Sequence, residues 1–248
     1  MKTTPNISKL FILSIIALFY ACSSDNDNNN ESEDDTIDPI ACENPDSTIY
    51  EEKDGLVAVE FESIKDHNDW IKENTTAGFL GTHYLVWKDN QFLNAPGNGL
   101  LTYKIKISNT GVYRFMWRSR ITNGTSGSEH NDSWLRFADA SRFYGKKGES
   151  IVYPADTGQS PTPNGSSKDG WFKIYKSGPA DQWKWQSSTS DNDAHDIFVE
   201  FDTPGTYTME VSARSTFHAL DRFVLFSENI TQSDATDETI LLSEITCD

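Results

Sequence analysis

Four stretches of this chain alternate apolar and polar residues with a period of two. In LLTYKIKI (100–107), Leu101, Tyr103, Ile105 and Ile107 share one face, with Thr102, Lys104 and Lys106 opposite. VYRFMWRSR (112–120) sets Tyr113, Phe115 and Trp117 against Arg114, Met116, Arg118 and Arg120. DIFVEF (196–201) and TYTMEVSAR (206–214) repeat the pattern, and Asn109-Thr110-Gly111 and Thr203-Pro204-Gly205 turn the chain between runs. Side chains two apart lie on one face of a strand, so such runs predict half-buried antiparallel strands. Shorter strands are predicted near 56–62, 82–87, 133–138, 171–176, 183–186 and 222–227. Helical spacing is absent over any long stretch, and SIKDHNDWIKEN (63–74) has room for one short helix. About ten short strands in one domain predict an all-β, jelly-roll β-sandwich over residues 55–227. Two Gly/Ser/Asn-rich loops, 122–132 and 154–170, are long for hairpins, and long loops on a rigid sandwich are where recognition concentrates.

The N-terminal fifth follows different rules. Lys2 and Lys9 precede the apolar run Leu10–Tyr20, which is too short to span a bilayer as a mature helix, and Ala21-Cys22 follows. This is the layout of a secretory signal. It resembles a bacterial lipoprotein signal over 1–21, with Cys22 acylated, although Phe19 and Tyr20 depart from the usual residues. An ordinary secretory peptide cut nearby, or an uncleaved anchor, is the alternative. Ser23-Ser24-Asp25 is similar to the export signal of Bacteroidetes-type lipoproteins, which implies a lipid-anchored protein of the outer membrane, exposed at the cell surface. Residues 23–62 then hold fourteen acids against Lys53 alone, most of the net charge of −17. So acidic a segment with few apolar residues predicts a disordered spacer over 22–54. No basic stripe exists, which argues against nucleic acid. With Cys22 acylated, Cys42 and Cys247 remain at the two edges of the domain. An oxidising compartment points to a disulfide tying segment 228–248 back to the domain's entry, the alternative being two free thiols.

VAVEFES (57–63), GNGLLTYKIKISNTGVYRFMWRSR (97–120) and GTYTMEVSARSTFHALDRFVLF (205–226) occur in an order that resembles carbohydrate-binding modules of the family 6 and family 35 type, over roughly residues 55–227. The resemblance implies a structural Ca²⁺ held by Glu60, Glu62 and Asp221. Glu60 and Glu62 share a strand face, and carboxylates are the hard ligands that Ca²⁺ takes. The same acids could instead be solvated, or paired with Arg222 or another base. It also implies a ligand cleft at the loop end of the sandwich, with aromatic platforms and an Asn two residues before Asp221. That position is Ala219 here, with His218 beside it.

Sugars offer C–H faces to aromatic planes and hydroxyls to polar side chains. Trp171, Trp183 and Trp185 are the platform candidates, and Trp87 is a weaker one. Trp117 alternates with core residues and reads as structural. Glu129, His130, Asn131 and Asp132 gather at a loop-to-strand junction, where they could read hydroxyls or cap turns. Arg118 and Arg120 approach the same loop and suit a carboxylated or sulfated sugar, unless they pair with neighbouring acids. Arg214 and His218 could complete the pocket. No nucleophile elbow, zinc-protease motif, zinc spacing or phosphate loop is present. The expectation is therefore a non-catalytic surface lipoprotein that captures an algal or plant polysaccharide, acidic by the Arg pair, for a degrading system and an outer-membrane glycan importer. A sandwich-fold polysaccharide lyase or glycoside hydrolase, and a structural or protein-binding subunit of an outer-membrane complex, are the alternatives.

Overall fold

The computed structural model describes residues 42–44, 47–189 and 192–248. The signal segment 1–21, Cys22 and most of the acidic tract lie outside the described residues. Seventeen strands occur among those described: β1 (Thr48–Glu51), β2 (Leu56–Glu60), β3 (Ile71–Glu73), β4 (Tyr84–Val86), β5 (Leu101–Ile107), β6 (Gly111–Ile121), β7 (Asp132–Arg136), β8 (Arg142–Lys147), β9 (Ser150–Val152), β10 (Ser166–Ser167), β11 (Trp171–Tyr175), β12 (Lys184–Trp185), β13 (Ser188–Thr189), β14 (His195–Phe201), β15 (Gly205–Ser212), β16 (His218–Ser227) and β17 (Ile245–Cys247). Among the described residues the named helical elements are α1 (Gln232–Ala235) and a 3-10 turn at Phe61–Ser63. Residues 63–74 therefore hold β3 rather than a short helix.

The strands form two layers. One runs β17-β1-β5-β15-β7-β11-β10. The other runs β9-β8-β14-β6-β16-β2, with β4 and β3 beyond the start of β16 and β12 beside the end of β6. Strand β13 pairs with both β11 and β14 and joins the layers at one edge. All pairings are antiparallel except β1 with β5. The result is an all-β sandwich. Its interior is the apolar face read from the alternation: Leu101, Tyr103, Ile105 and Ile107 are buried while Thr102 and Lys106 are exposed. Phe61, Tyr103, Phe115, Trp117 and Phe223 meet there edge to face or tilted, with ring centroids 5.2–6.1 Å apart. Such pairs add to the area term of burial.

Two departures from strict alternation shape everything that follows. Strand β16 is buried along nine of its ten residues, and β6 is buried on both faces from Phe115 to Ser119. The cause is a cover over the outer face: Ile230, Ala235 and Ile240 pack on Ala58, Met116, Val224 and Phe226. The chain after residue 227 is thus a lid on the second layer, not a loose tail.

The acidic spacer expected over 22–54 also ends earlier than its charge implied. Strand β1 lies inside that range, with Ile49 4% and Tyr50 2% exposed. Tyr50 packs near Tyr103, and the strand pairs with β17 and β5. Cys42 and Cys247 are joined by a disulfide, Cα–Cα 5.6 Å. Two apolar residues entering the core outweigh the local charge.

Glu52 shows how this edge tolerates an acid. Its carboxylate accepts hydrogen bonds from the Gly55, Ser108 and Asn109 amides and from the Asn109 side chain. Burial works to raise its pKa, but these bonds win and hold it below the usual carboxylate range. A carboxyl whose folded pKa is depressed stabilises the fold above its unfolded pKa and loses that contribution as pH falls through the folded value. Glu52→Gln should therefore be less stable than the parent in urea at pH 7, with the gap closing by pH 3. A gap independent of pH would count against this role.

Candidate functional site

The outer face of β6 at the loop end carries Arg118 and Arg120, two residues apart, beside Ala219 and Asp221 of β16. The register between β6 and β16 shifts between Leu220 and Arg222, so Asp221 and Arg222 point to the same outer side. Arg118 does not approach the 128–132 loop. Its guanidinium pairs with Asp221, donates to the Gly78 carbonyl at 2.7 Å and reaches Glu238 at 3.2 Å. Both oxygens of Asp221 also accept from the Leu80 amide at 3.1 Å. Arg222 pairs with Glu60. Glu62 accepts from the His83 amide at 3.2 Å. Loop 77–83 is thereby fastened over a buried set of three carboxylates and two guanidiniums.

With all three acids ionised, the set carries one more negative than positive charge. Burial pushes Glu62 up to about 8, with Glu60 and Asp221 adding repulsion. Burial likewise raises Asp221 to about 7 in spite of Arg118. Glu60 and Glu62 each keep one buried oxygen, Oε2, with no hydrogen-bond partner. Two orphan carboxylate oxygens fit the chemistry of a hard cation such as Ca²⁺. Among the described residues, however, no three acids, histidines or cysteines stand together as a ready ligand set. Arg118 and Arg222 already partner two of the three.

Trp183, half-buried, packs edge to face on Tyr84 at 5.2 Å and lies under the Arg118 guanidinium at 5.4 Å. Its Nε1 donates to the Ala77 carbonyl at 3.1 Å, which fixes the ring. Phe79 and Trp183 flank Tyr84, Val86 and Ala219. Ala219, at the position where the family resemblance implied an Asn, is thus fully buried beneath these rings. Arg120 pairs in register with Ala219 and is half-exposed, and its Nε has no hydrogen-bond partner.

Positive charge converges here in a chain whose net charge is −17. Lys176 is fully buried, its ammonium donating to the Pro179 carbonyl at 2.6 Å. Burial, together with Lys184 and Arg120, lowers its pKa to about 8. Lys184 itself is exposed and donates to the Ser177 carbonyl. Lys176 and Lys184 did not emerge from the sequence. The signal was present for Lys176, which continues the inward alternation of Phe172 and Ile174, a place where a lysine is costly.

The remaining candidates divide. Trp171 is a correction: it is 3% exposed, with the Arg136 guanidinium 4.6 Å from its ring centre, so it offers no open platform. Trp185 is half-buried and packs against the cluster beneath the C-terminal lid. Trp87 is buried against Trp70. Asp132 is 3% exposed and bonded to Arg214 and Ser215, with Lys173 3.8 Å away. Asn131 donates to the Lys176 carbonyl at 2.8 Å. These two, and Arg214, hold the loop to the sandwich instead of facing a ligand. His218 sits inside, bonded to Ser133 at 2.8 Å, its pKa lowered to about 3 by burial and by Lys176. A ring that stays neutral and enclosed cannot reach a sugar. Glu129 is exposed, and His130 is half-buried, edge to face with Phe217.

No family model matches the chain, and no curated protein matches it. Among solved structures it is similar to a GH26-CBM35 β-(1,4)-mannanase of Podospora anserina, with 14% identity and a TM-score of 0.43 over 73% of this chain and 29% of that one. An isomalto-dextranase of Arthrobacter globiformis T6, complexed with panose, gives 13% identity and a TM-score of 0.35 over 69% of this chain and 23% of that one. The C-terminal CBM6 of LamC, a marine laminarinase from Zobellia galactanivorans, gives 15% identity and a TM-score of 0.30, over 69% of this chain and 99% of that one. The chain spans less than a third of the length of the first two. The sandwich assignment rests on the strand pairing described above.

Proposed function

We propose that this protein is a non-catalytic, surface-anchored lipoprotein that binds a polysaccharide at the loop end of its sandwich. The observation that carries this reading is the half-exposed Trp183, held by Ala77 and Tyr84 next to Lys184 in sequence, on the face where Arg118 and Arg120 of β6 lie. The indole supplies a flat apolar surface for the C–H face of a pyranose, and Arg120 and Lys184 suit a carboxylate or sulfate ester on the same chain. The substrate class is therefore an acidic glycan, and the resemblance to carbohydrate-binding modules implies an algal or plant one. Acylation at Cys22 would tether the domain to the outer membrane, where many weak sites act together by avidity and pass the chain to a degrading system and importer. Native gels cast with polygalacturonate, a sulfated galactan or neutral glucans test the reading. Retardation by an acidic polymer, with no new reducing ends and no unsaturated product, is the expected result. Release of either product would make the protein an enzyme.

A second reading has specific support. Arg118, Asp132, Arg214 and Trp171 are all internally engaged, as a scaffold or protein-binding subunit would require. Failure of every polymer to retard the protein would favour it.

We extend the proposal to Ca²⁺. Glu60 and Glu62 would hold it through their orphan oxygens, with Asp221 beside them, and the ion would supply structural charge balance beneath loop 77–83. Added CaCl₂ should raise the melting temperature and EDTA lower it. At a hundredfold excess over Kd the gain would be about 2.7 kcal/mol. Identical melting curves in both would mean that the guanidiniums alone balance the site.

A further inference from the structure

The long loop 154–170, conspicuous in the sequence, plays no part in the loop-end site. It encloses a cavity of about 400 Å³ against the crossover from β7 to β8 and the start of β8. That volume falls within the range of small-molecule sites, about 300–1,000 Å³. Its lining includes the partly exposed ring of Tyr153 and the mostly buried rings of Phe137 and Phe143. Asp156, Gln159 and Asp169 line it as well. An aromatic ring together with hydrogen-bonding side chains matches a pyranose ring with its hydroxyls.

The loop is held in shape before any ligand arrives. The Tyr153 amide donates to Pro161 at 2.8 Å, the Ala155 amide to the Ser166 hydroxyl at 2.7 Å and the Gly170 amide to Ala155 at 2.9 Å. The Asp169 amide donates to the Asp156 carboxylate at 3.2 Å, and Arg136 donates to the Asp169 carbonyl at 3.2 Å. Asp156 and Asp169 are both held at positive φ, 65° and 59°. A site fixed in advance loses less entropy on binding. Its charge is opposite to that of the loop end. The cation lining it, Arg142, is paired with Glu200 at 3.0 Å and lies over Tyr144 at 4.3 Å, while two exposed carboxylates face the cavity.

The geometry points to a second saccharide site here, selective for a neutral sugar and separate from the acidic-glycan site around Trp183. Calorimetric titration with neutral hexasaccharides (cello-, laminari-, manno- and xylohexaose) tests it against the loop-end variant Arg120→Ala. At least one neutral hexasaccharide should bind. Tyr153→Ala and Gln159→Ala should each weaken it tenfold or more, while Arg120→Ala leaves it unchanged. Gln159 is exposed and makes no bond that holds the loop, so its loss cannot act through unfolding. The inference is overturned if no neutral hexasaccharide binds, or if binding survives both cavity variants. Retardation by acidic polymers would stand or fall separately.

Discussion

Replacing Asp132 with alanine is expected to destabilise the protein by about 3–5 kcal/mol, the usual cost of removing one partner from a buried ion pair. The carboxylate is 3% exposed and is shared by Arg214, Ser215 and Lys173. Without it, one guanidinium and one ammonium remain in a nearly dry pocket beside Trp134. At roughly 2–4 °C per kcal/mol for a domain of this size, the melting temperature should fall by about 10 °C. Asp132→Asn should lie between the two, because it keeps hydrogen bonding to Ser215 while losing the charge. A variant that melts like the parent but no longer binds polysaccharide would reverse the assignment and return Asp132 to the ligand site.

The second large effect concerns the clasp between the chain's two ends. The disulfide joins residues 205 apart in sequence, and in the chain-entropy model a loop that long stabilises the fold by about 5 kcal/mol, with measured values often smaller. Beneath it lie the β1–β17 pairing and the C-terminal lid over β6 and β16. Cys42→Ser with Cys247→Ser should lower the denaturant midpoint strongly and expose β1 and β17 to hydrogen exchange before the rest of the sheet. Uniform exchange throughout, with an unchanged midpoint, would show that pairing and lid suffice without the bond.

The sandwich was legible because period two is a local property. Leu101–Ile107 and His195–Phe201 each bury alternate residues, as their spelling requires. What the spelling could not show was which polar faces would be covered from a distance. Arg118 lies on the polar face of β6, yet loop 77–83 and Asp221 enclose it. Trp171 follows a Gly-rich loop exit and reads as exposed, but Arg136 of β7 lies across its ring. Strand β1 was hidden because four residues within an acidic tract carry too little pattern to outweigh its charge. The site divides the same way. Trp183 and Arg120 could be nominated by residue type alone, whereas Lys176 and Lys184 join them only once the connection from β11 to β12 brings β12 onto β6.

The account depends on Trp183 and Arg120 forming a working surface at the loop end. Calorimetric titration of the protein, Trp183→Ala and Arg120→Ala with polygalacturonate and sulfated galactan oligomers tests this most directly, with melting curves taken alongside. One of the two acidic oligomers should bind the parent, and each substitution should weaken it by about 2 kcal/mol, roughly thirtyfold in Kd, with little change in melting temperature for Arg120→Ala. Equal affinity in all three proteins, or no binding of either oligomer to the parent, would contradict it.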